Sequence, residues 1–565
     1  MTGVTGAPDP WPEAPPRGAL LPLGSIRSVV RALLMHDPDG GPVGLVLAAL
    51  TGLVFAVVIL TAGALIRDAA SQPVDLARLI GFLALVAGAA VVHGMALARG
   101  MRSSERCRRA LLDGLVGRLR ETSLEAVEIT GADSLSEAVA RALSTVASGV
   151  LLVFQIVQHG LTLIVCALVI LVTTPTVFLC LGAAAVVWGV LVRRRRIVER
   201  RASARAAEAE ARFNRHLGEM IAGSRDLHLD PAKRRDLVIT ALAPAARAAR
   251  DGAVAAAGAR SRIMDMHALS WLLAMALLVF VLPRFGLSAQ VTVAFLMLAV
   301  LWQWISGLLL VMPTLERAGQ ALDRLDGLDR ALAPETTGPQ AAPAAADAPA
   351  FERLVLSGLT YRYPDAGGVP GFGMGPIDLT LRRGEILFLV GGNGSGKSTL
   401  IKVLTGLYAP SDGDMTVDGH PVTLAAWRSL FAYVPTDLHL FRRLYGIAPE
   451  AVADGRWVLD RLGVARVVGI HDGAFTTRAL SAGQRKRLGL AVAIMERRPV
   501  LVLDEWAADQ DPESRRLFYT EVLPDLRARG LTAVVVSHDD RYFTAADRVV
   551  KMRDGRVVAE DDDDG

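Results

Sequence analysis

Cysteine is nearly absent. The chain has three in 565 residues, Cys107, Cys166 and Cys180, without the short paired spacing of a zinc site and too few for a disulfide framework. Two of them lie inside apolar runs, where they read as small packing hydrophobes. An excess of one charge is missing too. The formal net charge is +4, and the arginines behind a sequence pI near 9.1 gather beside apolar stretches rather than on a nucleic-acid surface. The opening MTGVTGAPDPWPEAPPRG lacks the basic-then-apolar layout of a secretory signal. Residues 1–25 read as a disordered cytosolic leader. No internal repeat is visible.

What the chain has in quantity is apolar sequence. Hydrophobic residues make up 52% and the mean hydropathy is +0.38, with the excess in the first half. Six stretches approach the ~20 residues that a helix needs to cross a bilayer: 43–66, 79–98, 149–172, 176–192, 268–283 and 289–313. Arg27 and Arg31 precede the first, Arg102, Arg106, Arg108 and Arg109 follow the second, and Arg193 to Arg196 follow the fourth. Positive residues stay inside, so these ends, the N-terminus and everything after the sixth span are expected in the cytoplasm. The membrane half is therefore expected to cover 26–332, in the cytoplasmic (inner) membrane.

Two segments between spans, about 99–148 and 193–267, are rich in Ala, Glu and Arg and have high helix propensity. They read as membrane helices continuing into the cytosol, with breaks at Thr130-Gly131 and Gly223-Ser224. A Pro/Ala linker spans 333–350. From 351 the pattern changes to short apolar runs such as EILFLVG, PVLVLDE and TAVVVSH, which read as an α/β domain with a largely parallel sheet. It is expected to run to 565, ending in the acidic tail Glu560 to Asp564.

The chemistry sits in that second domain. Residues 391–398 read GGNGSGKS, after a strand at 385–390 and before a helix, the context a phosphate loop needs. Gly391, Gly392, Asn393, Gly394, Ser395 and Gly396 can turn backbone N–H groups toward phosphates. Lys397 can reach the β- and γ-phosphates of ATP, the Ser398 hydroxyl can ligate Mg2+, and Thr399 completes the helix start. Asp504 ends an apolar strand, where its carboxylate can hold Mg2+. Glu505 follows as the candidate to polarise an attacking water. His538, after the next apolar strand, is placed to meet the γ-phosphate. Ser481, Gly483 and Gln484, in LSAGQ at 480–484, open another helix that can bind phosphate. One side of the nucleotide is already taken, so this helix is expected to serve a second site.

On these motifs, residues 351–558 resemble the nucleotide-binding domain of ABC transporters, and 1–330 are similar in layout to their six-helix exporter half. The resemblance implies a domain-swapped twelve-helix homodimer of this chain, in membrane lipid, in which LSAGQ of one subunit closes the ATP site of the other. It also implies that Tyr363 stacks on adenine, that Asp511 closes the D-loop, and that segments near 130–138 and 222–230 are coupling helices.

A finer resemblance rests on SLFAYVPTDLHLF (429–441), LDEWAADQDPESRRLFY (503–519) and SHDDRYF (537–543). These look like the cyclic-peptide exporter branch, which handles nonribosomal lipopeptides, siderophore precursors and lasso microcins. Most ABC proteins carry Gln after Val-Pro, whereas this chain has Thr436, with Asp437 as a candidate substitute at the metal. In the third span, Gln155, Gln158, His159 and Thr162 fall on one helical face, expected to face the bundle interior as a substrate path or as helix–helix hydrogen bonds. Trp302, Gln303 and Trp304 in the sixth span are similar candidates, and His93 is a weaker one. The reading is ATP-driven export of a peptide-like cargo by alternating access. Its rivals are an exporter-fold importer of a siderophore and a membrane ATPase that regulates without transporting.

Overall fold

In the computed structural model, the described residues are 23–69, 76–130, 132–281, 284, 291–332, 351–365 and 370–558. The expected leader up to residue 22, the linker 333–350 and the acidic tail lie outside them. Contacts divide the chain into two compact units, Met1–Leu119 with Ala132–Ala331, and Arg120–Gly131 with Leu332–Gly565. Residues 120–131 therefore pack with the C-terminal unit, although the sequence places them within the membrane half.

The first unit is helical. Its elements are α1 (Leu23–His36), α2 (Gly40–Ala69), α3 (Leu76–Glu121, whose end crosses into the second unit), α5 (Ala132–Thr173), α6 (Pro175–Ala222), α7 (Ser224–Leu229), α8 (Pro231–Leu237), α9 (Ala243–Ala276, extended by a π-helical turn at Leu277–Val281) and α10 (Val291–Ala331). The short helix α4 (Leu124–Thr130) belongs to the second unit. Among the described residues, five segments are long and apolar enough to cross a membrane: Gly40–Ile66, Leu76–Glu121, Val139–Thr173, Pro175–Ala222 and Pro231–Val281. The sixth expected span falls on α10, with Pro313 inside the helix.

Turn chemistry sets the joints. Pro175 opens α6 one residue after Thr174, which closes the α5–α6 hairpin. Gly223 separates α6 from α7, and Asp230 caps α8 by accepting from the amides of Ala232 and Lys233. The short helices therefore cover 124–130 and 224–229. The expected segment 130–138 is instead divided between the end of α4 and the start of α5. Helix α1, inside the region read partly as a leader, was not anticipated. Asp37 anchors its far end, accepting from Gly40 N and pairing with Arg106 on α3 at 3.1 Å.

Within this unit α6 packs along α9, and α5 lies between α2 and α10. Charged residues join three of these helices past their apolar stretches. Glu316 takes Arg200 at 2.7 Å and Arg196 at 3.7 Å, while Glu199 lies 3.8 Å from Arg260. Arg196 and Glu199 are buried, and the paired opposite charges offset their desolvation.

The second unit is a layered α/β structure. A six-stranded sheet runs β12-β11-β3-β10-β9-β6. Its strands are β3 (Ile386–Gly391), β6 (Phe431–Val434), β9 (Val500–Asp504), β10 (Thr532–Val536), β11 (Arg548–Arg553) and β12 (Arg556–Val558). All neighbours pair in parallel except β11 with β12. A second, antiparallel sheet, β2-β1-β4-β5, was not legible in the sequence. It comprises β1 (Arg353–Arg362), β2 (Gly373–Arg382), β4 (Asp412–Val417) and β5 (His420–Pro421). A small hairpin of β7 (Ile470–His471) and β8 (Ala474–Phe475) completes the strands.

Strand alternation explains why the central runs are apolar throughout. Ile386, Phe388, Leu501, Leu503, Ala533 and Val535 enter one core, with Leu488 and Leu490 of α14 (Ala482–Met495) and Leu526 of α16 (Leu523–Ala528). Leu387, Leu389, Val500, Val502, Val534 and Val536 enter the other, with Leu400 and Leu404 of α11 (Lys397–Leu404) and the antiparallel sheet. The remaining helices, α12 (Leu424–Arg428), α13 (Val452–Arg461) and α15 (Pro512–Leu517), connect these layers.

Candidate active site

Strand order places the motifs. β10 lies between β3 and β9, and Val536 pairs with Leu389 on one side and Asp504 on the other. The parallel strands end together, so the turns after β3, β9 and β10 meet at one edge of the sheet, where α/β folds collect ligands.

The turn after β3 is the glycine loop. Gly391 has φ +152° and Gly396 has φ +99°; a Cβ on Gly391 would stand 2.4 Å from the Met552 carbonyl. Gly396 is the residue before α11, so the helix amides open onto the loop. Nothing would meet a Cβ built on Gly392 or Gly394, and Gly392, Asn393, Gly394 and Ser398 are exposed. Ser395 Oγ is buried with no partner among the described residues. Lys397 is buried, its Nζ donating to the carbonyls of Gly391 at 2.8 Å and Gly392 at 2.9 Å. Burial pushes its pKa down, partly offset by Glu505 and Asp504.

The turn after β9 carries the carboxylates. Asp504 is buried, and burial raises its pKa against the opposing hydrogen bonds from Thr436 and then from Tyr433, whose hydroxyl donates to Oδ2 at 3.3 Å. Glu505 sits in the left-handed region at φ 50°. Its Oε1 lies 3.3 Å from His538 Nε2. Thr436 Oγ1 reaches the Asp504 backbone carbonyl at 3.4 Å, while Asp437 is exposed. No group of three or more His, Cys, Asp or Glu residues is arranged as a metal cluster among the described residues.

Ser481 and Gln484 form a capping box on α14: Ser481 Oγ accepts from Gln484 N at 3.2 Å, and Gln484 Oε1 accepts from Ser481 N at 3.0 Å. Gly483 is buried, with the Asp509 carbonyl 2.8 Å from where its Cβ would be. Asp511 caps α15 by accepting from Ser514 N, and that bond leads the effects holding its carboxyl low. Arg487 donates to Asp511 at 2.7 Å and to Gln510 at 2.8 Å. The LSAGQ helix and the 505–511 turn are thus one hydrogen-bonded block.

Tyr363 is half-buried, edge-on to Tyr361 with centroids 5.1 Å apart, and its hydroxyl lies 3.5 Å from Thr399 Oγ1. Behind it the sequence reading missed a second set of contacts. Tyr361 donates to Glu125 of α4 at 2.7 Å, and Glu128 takes both Lys402, at 2.7 Å, and the Tyr408 hydroxyl. Burial pushes the Glu128 carboxyl up, but the Lys402 and Tyr408 bonds outweigh it and hold it below its usual range. Lys486, which also holds Glu505, was missed as well.

In the helical unit the expected stripe divides. Thr162 Oγ1 donates to Gly52 O at 2.9 Å and to Gln158 O at 3.0 Å, with Gln158 and Thr162 both buried. A Cβ on Gly52 would meet Gln158 O at 2.4 Å, so these residues serve the close α2–α5 packing. His159 turns to Trp304, centroids 4.1 Å apart, in a group with Phe55 and His93. Gln155 is exposed. Trp302 joins a different group, stacked on His267 at 3.8 Å beside Trp271 and Trp188. Gln303 is exposed between the two tryptophans.

Comparison with known proteins follows the same division. Residues 374–508 match the ABC transporter family model. ATP-binding protein SyrD of Pseudomonas syringae pv. syringae is 46% identical over 214 residues, 37% of this chain and 38% of that protein. The match therefore spans well under half the length of that relative. The phosphonates import ATP-binding protein PhnC 1 of Natronomonas pharaonis is 34% identical over 225 residues, 36% of this chain and 91% of its own length. Among solved structures, a bacterial Atm1-family ABC exporter with ATP bound superposes with TM-score 0.72 at 17% identity, covering 93% of this chain and 95% of that one; at this identity the likeness is one of fold. A helical unit with five membrane-length segments precedes an ATP-binding α/β unit that aligns with nearly the whole of an ABC ATP-binding protein, and the chain belongs to the ABC transporter family.

Proposed function

We propose that this chain is an ATP-driven exporter of peptide-like cargo, working as a homodimer in the cytoplasmic membrane with its N-terminus and ATPase unit in the cytosol. The observation that carries the reading is the meeting of the glycine loop, Asp504, Glu505 and His538 at one sheet edge, in a chain that also has membrane-length apolar helices.

The loop suits a triphosphate. Its backbone conformation favours glycine, its helix amides open onto it, and Ser395 Oγ is a buried group with no partner among the described residues. Residues 391–399 hold the phosphates, Lys397 exchanging the loop carbonyls for phosphate oxygens, and Tyr363 stacks on adenine. Ser398 and Asp504, with Asp437 as the further candidate, offer the oxygen donors that Mg2+ prefers. When bound, that ion neutralises charge between the β- and γ-phosphates. Glu505 polarises the attacking water and His538 contacts the γ-phosphate. Thr436 ties the start of its loop to the Asp504 backbone in place of a longer Gln side chain.

Ser481, Gly483, Gln484 and Asp511 of a second copy complete each site, and the exposed start of α14 supports this. Cargo moves by alternating access. The peptide class rests on the resemblance of 429–441, 503–519 and 537–543 to the cyclic-peptide exporter branch. The mixed aromatic and polar groups around α10 agree with it, since such cargo exposes amides and apolar side chains together.

The test is ATP-dependent uptake of a panel of cyclic and lasso peptides into inside-out vesicles, with Lys397→Ala as the inactive control. Uptake and ATPase stimulation by such peptides are expected. Movement of a lipid or ferric siderophore while every peptide stays out would overturn the cargo class.

A further inference from the structure

The catalytic turn has an unusual support. Glu505 is a non-glycine residue in the left-handed region, φ 50° and ψ 37°, a conformation that persists only where its surroundings impose it. The imposing group is on the LSAGQ helix. Lys486 is buried, and its Nζ donates to the Glu505 backbone carbonyl at 2.9 Å while pairing with Asp509 Oδ2 at 2.9 Å. The lysine's own carbonyl accepts from Trp506 Nε1 at 2.8 Å. Trp506 is fully buried and stacks on Phe518 with centroids 4.3 Å apart. One residue of α14 therefore grips the turn at Glu505 itself and at 506 and 509 just after it, beginning at the residue whose carboxylate faces His538.

We propose that Lys486 is a positioning residue for ATP hydrolysis. Resting on the reading above, it ties the backbone of Glu505 to the helix whose start closes the other ATP site of the dimer. A buried ammonium is tolerated only when its donors are satisfied, and here two of its acceptors belong to the catalytic turn. A shift of α14 on closing the partner's site moves Nζ and carries the Glu505 carbonyl with it. The geometry of one site's carboxylate thus depends on the occupancy of the other.

The experiment uses the full chain in nanodiscs, measuring ATPase kcat and KM for Lys486→Met, Lys486→Arg and Asp509→Asn. Lys486→Met is expected to lower kcat at least ~10-fold with KM for ATP within about twofold, the pattern of a defect felt after binding. Lys486→Arg, which still donates, recovers most of the loss, and Asp509→Asn lowers kcat by about threefold. In a Glu505→Gln background, Lys486→Met still permits ATP-driven closure of the dimer, because the lesion lies in hydrolysis and not in the helix.

Wild-type kcat in Lys486→Met overturns the assignment. So does an equal change in kcat and KM without recovery by Arg, or loss of closure in the double variant. If Lys486→Met does not assemble, Asp509→Asn decides, since its carboxylate is half exposed; an unchanged kcat there overturns the proposal. A wild-type chain without ATPase, or Glu505→Gln turning over normally, refutes the hydrolysis reading and Lys486 with it. Inactive Glu505→Gln beside fully active Lys486→Met refutes Lys486 alone.

Discussion

His538 Nε2 lies 3.3 Å from Glu505 Oε1, although 33 residues separate them in the chain. The contact arises because β9 and β10 are parallel neighbours whose last residues, Asp504 and Val536, are in register. If Glu505 is the base and His538 the group that meets the γ-phosphate, this contact keeps both at one place for hydrolysis. Glu505→Gln should keep ATP binding while turnover falls at least ~10²-fold. His538→Ala, which leaves the carboxylate in place, should fall less, by about 10-fold. Steady-state ATPase with parallel nucleotide-binding assays checks both, and near-normal turnover in Glu505→Gln rejects its role.

The cap that Ser481 makes and the role proposed for it at the partner's site can be separated. Its capping box with Gln484 is worth about 1 kcal/mol of helix stability, so Ser481→Ala should lower the melting temperature of the ATPase unit slightly. If the helix start also meets the partner's nucleotide, Ser481→Cys should cross-link to a cysteine placed at Gly394 of the partner subunit, in an ATP-dependent way. An active protein that never forms the cross-link excludes the composite site.

These motifs were readable because each is local. The glycine loop, the Asp504-Glu505 pair and the histidine after an apolar strand are short patterns whose chemistry depends on neighbours a few residues away. The central strands were readable for the same reason, being apolar on both faces. The antiparallel sheet was not, because β4 and β5 are short and polar, and only the pairing of β4 with β1 and of β5 with β4 makes them strands. The contact of Glu128 with Lys402 spans 274 residues and leaves no trace in either segment. The polar stripe of the third span shows a further limit. Periodicity put Gln158, His159 and Thr162 on one face, but which neighbour each meets is decided by Gly52 on α2 and Trp304 on α10. Trp302 and Trp304 are two residues apart, about 200° around the helix, so they belong to opposite groups, a separation the sequence contained.

Thr436 and Asp437 make unequal contacts, and their variants should differ. The Thr436 hydroxyl reaches the Asp504 backbone at 3.4 Å, a long and weak bond, whereas Asp437 is exposed and is the carboxylate proposed for the metal. Thr436→Ala should retain a substantial share of basal ATPase, and Thr436→Gln should be tolerated. Asp437→Ala should cost more and raise the Mg2+ concentration needed for half-maximal activity. Complete and equal loss in both alanine variants would show that this loop works differently.

The division of the stripe lets helix packing and the proposed cargo contacts be tested apart. Thr162 donates to Gly52 O across the α2–α5 contact, and interhelical bonds of this kind in membranes average about 0.6 kcal/mol. Thr162→Val should therefore lower the melting temperature modestly and leave peptide stimulation of the ATPase at its normal concentration dependence. His159 is half-buried against Trp304, so it can offer a ring face to a peptide. His159→Leu and Trp304→Ala should each raise the peptide concentration for half-maximal stimulation by about 5- to 10-fold, the loss of one ring contact. Basal ATPase should change less than twofold. The opposite pattern, with Thr162→Val shifting the peptide response and His159→Leu only the melting temperature, would place the cargo along α2 instead of beside α10.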